Sequence, residues 1–351
     1  MAYTDIDKPS DYFNTLLYTG NGASSHAISG VGFQPDWTWN KNRSSAVNHA
    51  LTDSVRGAPK RLMSQSNEAE INQTTGLLSF NSDGFTVGSD SGYNGNGNSM
   101  VSWNWKAGTS VSGNTGGNGT AKTYTGSVNT DAGFSIIRYI GNGTAGHTIP
   151  HHLGTTPAWI ICRTISAAKE WDVYHHKLSS SPESDYIVLN TTAAAAGATD
   201  AADKWNDTAP TSSVVTLGDS SQINTNDGTC IMYAFAEKKG YSKFGSYTGG
   251  GSNFPFIYTG FKPAFVIVKK TNTTGHWQIV DNKRPTYNPQ NYLRANLSDA
   301  ENTNIPFDIL SNGFKARSTD GSYNGSGNNY IYMAFAENPF VTSTGVPATA
   351  R

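Results

Sequence analysis

The chain has 351 residues, a formal net charge of −1 and only 15% charged residues, a balance that excludes a basic field for nucleic acid and a charged tail. Aromatic residues at 11% exclude a disordered low-complexity chain, and 37 glycines amid abundant Asn, Ser and Thr favour turns and short strands.

The opening stretch, 1–10, is polar and lacks the apolar centre of a signal peptide. No apolar run approaches the length of a membrane span. Synthesis and folding in a cytoplasm are therefore expected, with neither membrane nor nucleic acid as a partner. Next, Tyr18-Thr19-Gly20-Asn21-Gly22, followed by His26 and Ile28, reads as a strand entering a glycine turn. A proline-led segment follows, Gly32-Phe33-Gln34-Pro35-Asp36-Trp37-Thr38-Trp39. Trp37 and Trp39 alternate with Thr38 and Asn40, which predicts a half-buried strand with one wet face.

That proline-led segment recurs at Pro157-Ala158-Trp159-Ile160 and at Pro263-Ala264-Phe265-Val266. The copies lie roughly 110 residues apart, a domain-sized spacing and not that of a solenoid. Closing strands recur as well, at Val101–Trp105, Ile231–Phe235 and Ile331–Phe335, with Trp103, Tyr233 and Met333 in matching inward places. At one fixed distance past each proline stand Asp53, His175 and Asp281. Ser102 and Asn104 oppose the inward set in the first copy, where the others carry Ala234 and Ala334. The first unit is thus expected to be the most exposed, and the doubly apolar run Phe265–Val268 to need a cover.

These repeats predict an all-β chain of three tandem antiparallel β-sandwich domains: 1–108, 121–240 and 241–351. The Gly/Ser/Thr/Asn stretch 109–120 reads as a flexible linker or a long surface loop. The Ala-rich stretch 191–202 reads as a loop, because Gly197 and the lack of an apolar stripe argue against a helix. Cys162 and Cys230 fall in apolar strands and are expected as buried free thiols.

Catalytic patterns are missing from the sequence: there is no Gly-x-Ser-x-Gly elbow, P-loop or dinucleotide glycine pattern. Asp53, Asp281, Asp172, Glu237 and Glu337 do not mark out a glycosidase pair, so no enzyme and no cofactor are expected. His151-His152 and His175-His176 are adjacent pairs, and neighbours on a strand point to opposite faces, which disfavours a shared metal. Oxygen-rich loops offer Asp83, Asp90, Asn94 and Asp320 as Ca²⁺ ligands, though Asn-Gly turns explain the same composition without a metal. Tyr93 and Tyr323, in glycine-rich settings, are the candidate rings for stacking on a sugar.

The opening from Met1-Ala2-Tyr3-Thr4 to Lys8-Pro9-Ser10, the segment Gly32-Phe33-Gln34-Pro35-Asp36-Trp37, the run Asp53-Ser54-Val55-Arg56-Gly57 and the ending Ala336-Glu337-Asn338-Pro339-Phe340-Val341 resemble a group of tailed-phage virion proteins common in marine and cyanobacterial viruses. The middle unit departs, with His175 at the Asp position. This resemblance implies jelly-roll or concanavalin-like sandwiches and a structural part on the outside of a virion, such as a tail fibre or tail tip, with a host-surface polysaccharide as a partner. It implies other virion proteins as neighbours and a homo-oligomer, a trimer being the default for a fibre. A capsid decoration or neck protein, a lectin unconnected with a particle, and a depolymerase are the alternatives.

Overall fold

The computed structural model describes residues 4–197, 202–284, 291–303 and 307–347. Strands dominate, as the alternating sequence requires, and helix is confined to single turns such as Ser91–Asn94. A four-stranded sheet sets Phe13–Thr19, Ser99–Trp105, Trp37–Asn42 and Ala50–Asp53 side by side. An eight-stranded sheet holds Phe134–Ile140, Thr229–Phe235, Trp159–Thr164 and Asp172–His175 in the same order. A six-stranded sheet repeats that order with Ser242–Thr248, Asn329–Pro339, Phe261–Lys270 and Trp277–Asp281. All of these neighbours pair antiparallel, and the register agrees: Trp37 pairs with Trp105, Trp159 with Phe235, and Phe265 with Phe335.

The inward faces of the three large sheets meet in one aromatic core instead of each closing on its own. Phe335 is its centre. Its ring lies 5.1 Å from Phe13 and 5.7 Å from Trp105 of the first sheet, 5.9 Å from Phe235 of the second and 6.4 Å from Phe265 of its own. The opposite face of each large sheet is covered by a three-stranded sheet, giving a β-sandwich-like pair of layers. Phe265–Val268 finds its expected cover here, from Ile257, Phe307 and Phe314 of the small sheet beneath.

Two expectations change. The first sheet has no wet face: Thr38, Asn40, Ser102 and Asn104 are all 0% exposed. They form a polar layer between the sheets, with Asn40 donating to Thr38 Oγ1 and Asn104 to the Ser102 hydroxyl. Alternation separates two faces but does not say whether the polar one meets water. Nor is 109–120 a free linker. Thr109–Asn114 is the edge strand of the eight-stranded sheet and pairs with Thr123–Asn129, Gly116–Gly117 pairs with His147–Thr148, and Thr115 Oγ1 bonds His147. In the Ala-rich stretch, Ala196–Gly197 is a short strand on Asp185–Tyr186, while 198–201 lie outside the described residues.

Because the three sheets share Phe335, loosening that point loosens all of them. Phe335→Ala is expected to cost about 3–5 kcal/mol. Urea unfolding followed by tryptophan fluorescence and by far-UV circular dichroism should show one coincident transition at a lower midpoint. A transition that splits, with one part unmoved, would contradict a shared core.

Candidate functional site

Of the carboxylates that the sequence offers as acids, the two at the repeated position are internal anchors, whereas Glu237 is exposed and pairs with Lys243. Asp53 and Asp281 are both 0% exposed. Arg56 Nε lies 2.5 Å from Asp53 Oδ2, and Arg284 Nε 2.6 Å from Asp281 Oδ2. Each arginine then reaches a second acid, Arg56 to Glu70 at 3.1 Å and Arg284 to Glu301 at 3.0 Å. Burial works against the charge on Arg56, but Asp53 and Glu70 outweigh it and raise its pKa. The same two aspartates also cross between sheets. The Tyr233 hydroxyl donates to Asp53 at 2.7 Å, and the Trp103 indole N–H donates to Asp281 at 2.9 Å.

His175 fills the equivalent place in the second sheet. Its Nδ1 accepts the Lys177 N–H at 2.9 Å, so Nε2 carries the proton and donates to the Tyr332 carbonyl of the third sheet at 3.3 Å. Burial holds its pKa down at about 3. Other links follow the same cycle. Trp171 donates to the Met63 carbonyl, Trp277 to that of Val188, and His49 bonds that of Arg294. Backbone bonds repeat it from Glu70 to Ile165, Ala195 to Thr271 and Glu301 to Arg43. Each set ties first to second, second to third and third to first.

The oxygen-rich loops are spent on turns. Asp83 accepts the N–H groups of Gly30 and Gly32, and Asp90 caps the Ser91–Asn94 turn through Gly92 N–H. Asp320 accepts Ser322 N–H. Asn94 Oδ1 accepts Asn21 N–H, and Asn224 and Asn324 do the same for Asn142 and Gly250, so one asparagine locks one glycine turn beside each small sheet. Asn224 was missed from sequence because Ile223 stands before it where Tyr93 and Tyr323 precede the others. Among the described residues, no three His, Cys, Asp or Glu side chains cluster as metal ligands. Cys162 and Cys230 are buried free thiols.

Neither candidate sugar ring presents a face to solvent. Tyr93 is 0% exposed, its hydroxyl 2.7 Å from Thr52 Oγ1, and Tyr323 is 4% exposed against Phe307. A glycine-rich setting signals a turn, and in both loops the turn folds the ring inward.

Two surface features stand out among the described residues. An open cleft of about 310 Å³ gathers Asp5, Asp7, Asp11 and Asp131 with Lys8 and Lys238. Its acids are partly committed: Asp5 accepts Lys239 N–H, Asp7 accepts from Ser343, and Asp11 pairs with Lys8. The second feature is a row of exposed rings, Phe254, Phe256 and Tyr258, leading into and along the edge strand of the third small sheet. The alternation Phe254-Pro255-Phe256-Ile257-Tyr258 is visible in the sequence. Read alone, it points to an inward aromatic set. The register shows the reverse, because Ile257 pairs with buried Phe314 and is the inward tooth.

Residues 8–339 match the family described as a domain of unknown function, DUF7483, and the chain belongs to that family. No curated protein and no solved structure matches the chain.

Removing Arg56 strands Asp53 in the interior, so Arg56→Ala is expected to lower stability by about 3–5 kcal/mol in denaturant titration. His175 gives a pH signature. An unfolded histidine takes up a proton near pH 6.5, but the folded one stays neutral to about pH 3, so its contribution is present above 6.5 and lost as pH falls towards 3. Asp172 acts oppositely, since burial raises its carboxyl to about 7. A variant therefore isolates the effect: between pH 7.5 and 5, His175→Gln should lose less stability than the wild type, by about 1–2 kcal/mol. Parallel pH profiles would contradict a buried neutral His175.

Proposed function

We propose that this chain is a structural component on the exterior of a tailed-phage particle, carried on the tail as a fibre or tip part, and not an enzyme. On this reading it consists of three copies of one β-sandwich unit closed into a pseudo-threefold head. The observation that carries the proposal is the cyclic set of interior links. Asp53, Asp281 and His175, which sequence position would offer to chemistry, each hold one large sheet to the next. Their burial and pairing suit a rigid body that presents its outer surface, and the sequence resemblance to virion proteins supplies the setting.

The oligomer expected for a fibre then has a geometric constraint. The inward faces of all three large sheets are used up in the shared core. Contacts between copies of the chain, or with other virion proteins, have to come from the outer layers and the sheet edges.

Peptide mass analysis of purified particles should detect this protein, and an antibody against it should decorate the tail in electron micrographs. Its absence from particles, when the same lysate contains it, would overturn the reading. Labelling confined to the head would replace the tail assignment with capsid decoration.

A further inference from the structure

From the outer face of the third small sheet, we infer a binding site for an acidic polysaccharide. Phe256 and Tyr258 stand on that face, 46% and 60% exposed, and Phe254 just before them is 42% exposed. Lys315 is the cross-strand partner of Phe256, and Asp308 that of Lys315. Gly313 lies opposite Tyr258, and Leu310 opposite Gly313. Gly313 is required there, because a Cβ would fall 2.1 Å from the Ile257 carbonyl oxygen. The face thus offers two rings along one edge and a lysine beside them, with the edge of the Phe256 ring 3.0 Å from where a Gly313 Cβ would stand. On the far side Asp308 is paired with Arg317 at 2.9 Å, whereas Lys315 is exposed and makes no ion pair or hydrogen bond within the described residues.

The matching faces elsewhere serve as internal controls. The places of Phe256 and Tyr258 hold Ala27 and Ser29 in the first small sheet and Thr148 and Pro150 in the second, as the pairing of Ile28 with Phe85 and Ile149 with Val215 fixes. All three inward teeth are buried aliphatics, so the core needs no ring outside. Size and charge then choose the occupant. Three strands span roughly 10 Å, and the run from Phe254 to Tyr258 roughly 13 Å. That footprint is on the order of 130 Å², against about 800 Å² per partner in a stable protein interface. It suits one to three sugar rings, whose C–H faces stack on aromatic faces while their hydroxyls reach the polar rim. An ammonium next to the rings, without a partner among the described residues, complements a carboxylate or another acidic group on the sugar.

The inference deepens the display reading by naming the class of surface met, and it is tested on the isolated protein, so it can fail separately from particle association. Binding of the full chain to polygalacturonate, a polyuronate, and to dextran, a neutral glucan, is measured by affinity electrophoresis at low and moderate salt. Wild type should be retarded by polygalacturonate and much less by dextran. Phe256→Ala and Tyr258→Ala should each weaken polygalacturonate binding at least tenfold with an unchanged unfolding midpoint. Lys315→Gln should weaken it about fivefold and flatten its salt dependence. Ala27→Ser, on the matching face of the first small sheet, should leave binding unchanged. Wild type bound by neither polymer, or ring variants that bind as wild type does, would overturn the site. Equal retardation by both polymers would overturn its preference for acidic sugars.

Discussion

The contact on which this structure depends is the meeting of Phe13, Trp105, Phe235, Phe265 and Phe335 where three sheets converge. Large rings bury much apolar surface per residue, and edge-to-face and tilted arrangements let several of them share a small volume. A sheet of four to eight short strands, apolar on one face, cannot be stable in water without a cover. Here each large sheet covers the other two. The small sheets then need only close the outer faces, which explains why they are three-stranded and short.

Apolar burial gives little direction, so the polar links decide how the sheets face each other. Buried ion pairs are costly to desolvate and contribute less to net stability than to fixing geometry. Asp53 and Asp281 each meet a donor on the next sheet, Tyr233 and Trp103. The third such place is Met333, which has no proton to donate. A carboxylate facing it would be buried without a partner. The chain instead has neutral His175, which donates to the neighbouring Tyr332 carbonyl, and Leu178 where the other copies carry Arg56 and Arg284. The departure of the middle copy thus follows from the donor missing across the interface.

Strands were legible because anchors and closing strands repeat with the same alternation, whereas their order in each sheet was not. The direction of each face was less so. A period of two states that Thr38 and Asn40 lie opposite Trp37 and Trp39, but not that a second sheet lies over them. The same gap affected the rings. Tyr93 and Tyr323 look exposed beside glycines yet are held inside by turns that Asn94 and Asn324 lock, whereas Phe256 and Tyr258 look like core yet point out. Sheet-to-sheet contacts such as Arg163 donating to the Ser66, Asn67 and Glu68 carbonyls have no local sequence signal, since they depend on elements far apart in the chain.

Repetition also indicates where variation carries meaning. Inward aromatic places, turn-locking asparagines and cross-sheet donors are kept or exchanged in compensating pairs, because a change in one unit is felt by its neighbour through the shared core. Outer faces of the small sheets stand away from the shared core and are freer to differ. At the places of Phe256 and Tyr258 the other two carry Ala27 and Ser29 or Thr148 and Pro150, whereas the third has rings in water, where they contribute nothing to folding and raise the risk of aggregation. On the proposed reading of three copies, rings tolerated at one set of places and avoided at the other two separate fold from surface: the interior shared by the three large sheets supplies rigidity, and the face of Phe256 and Tyr258 is left for binding.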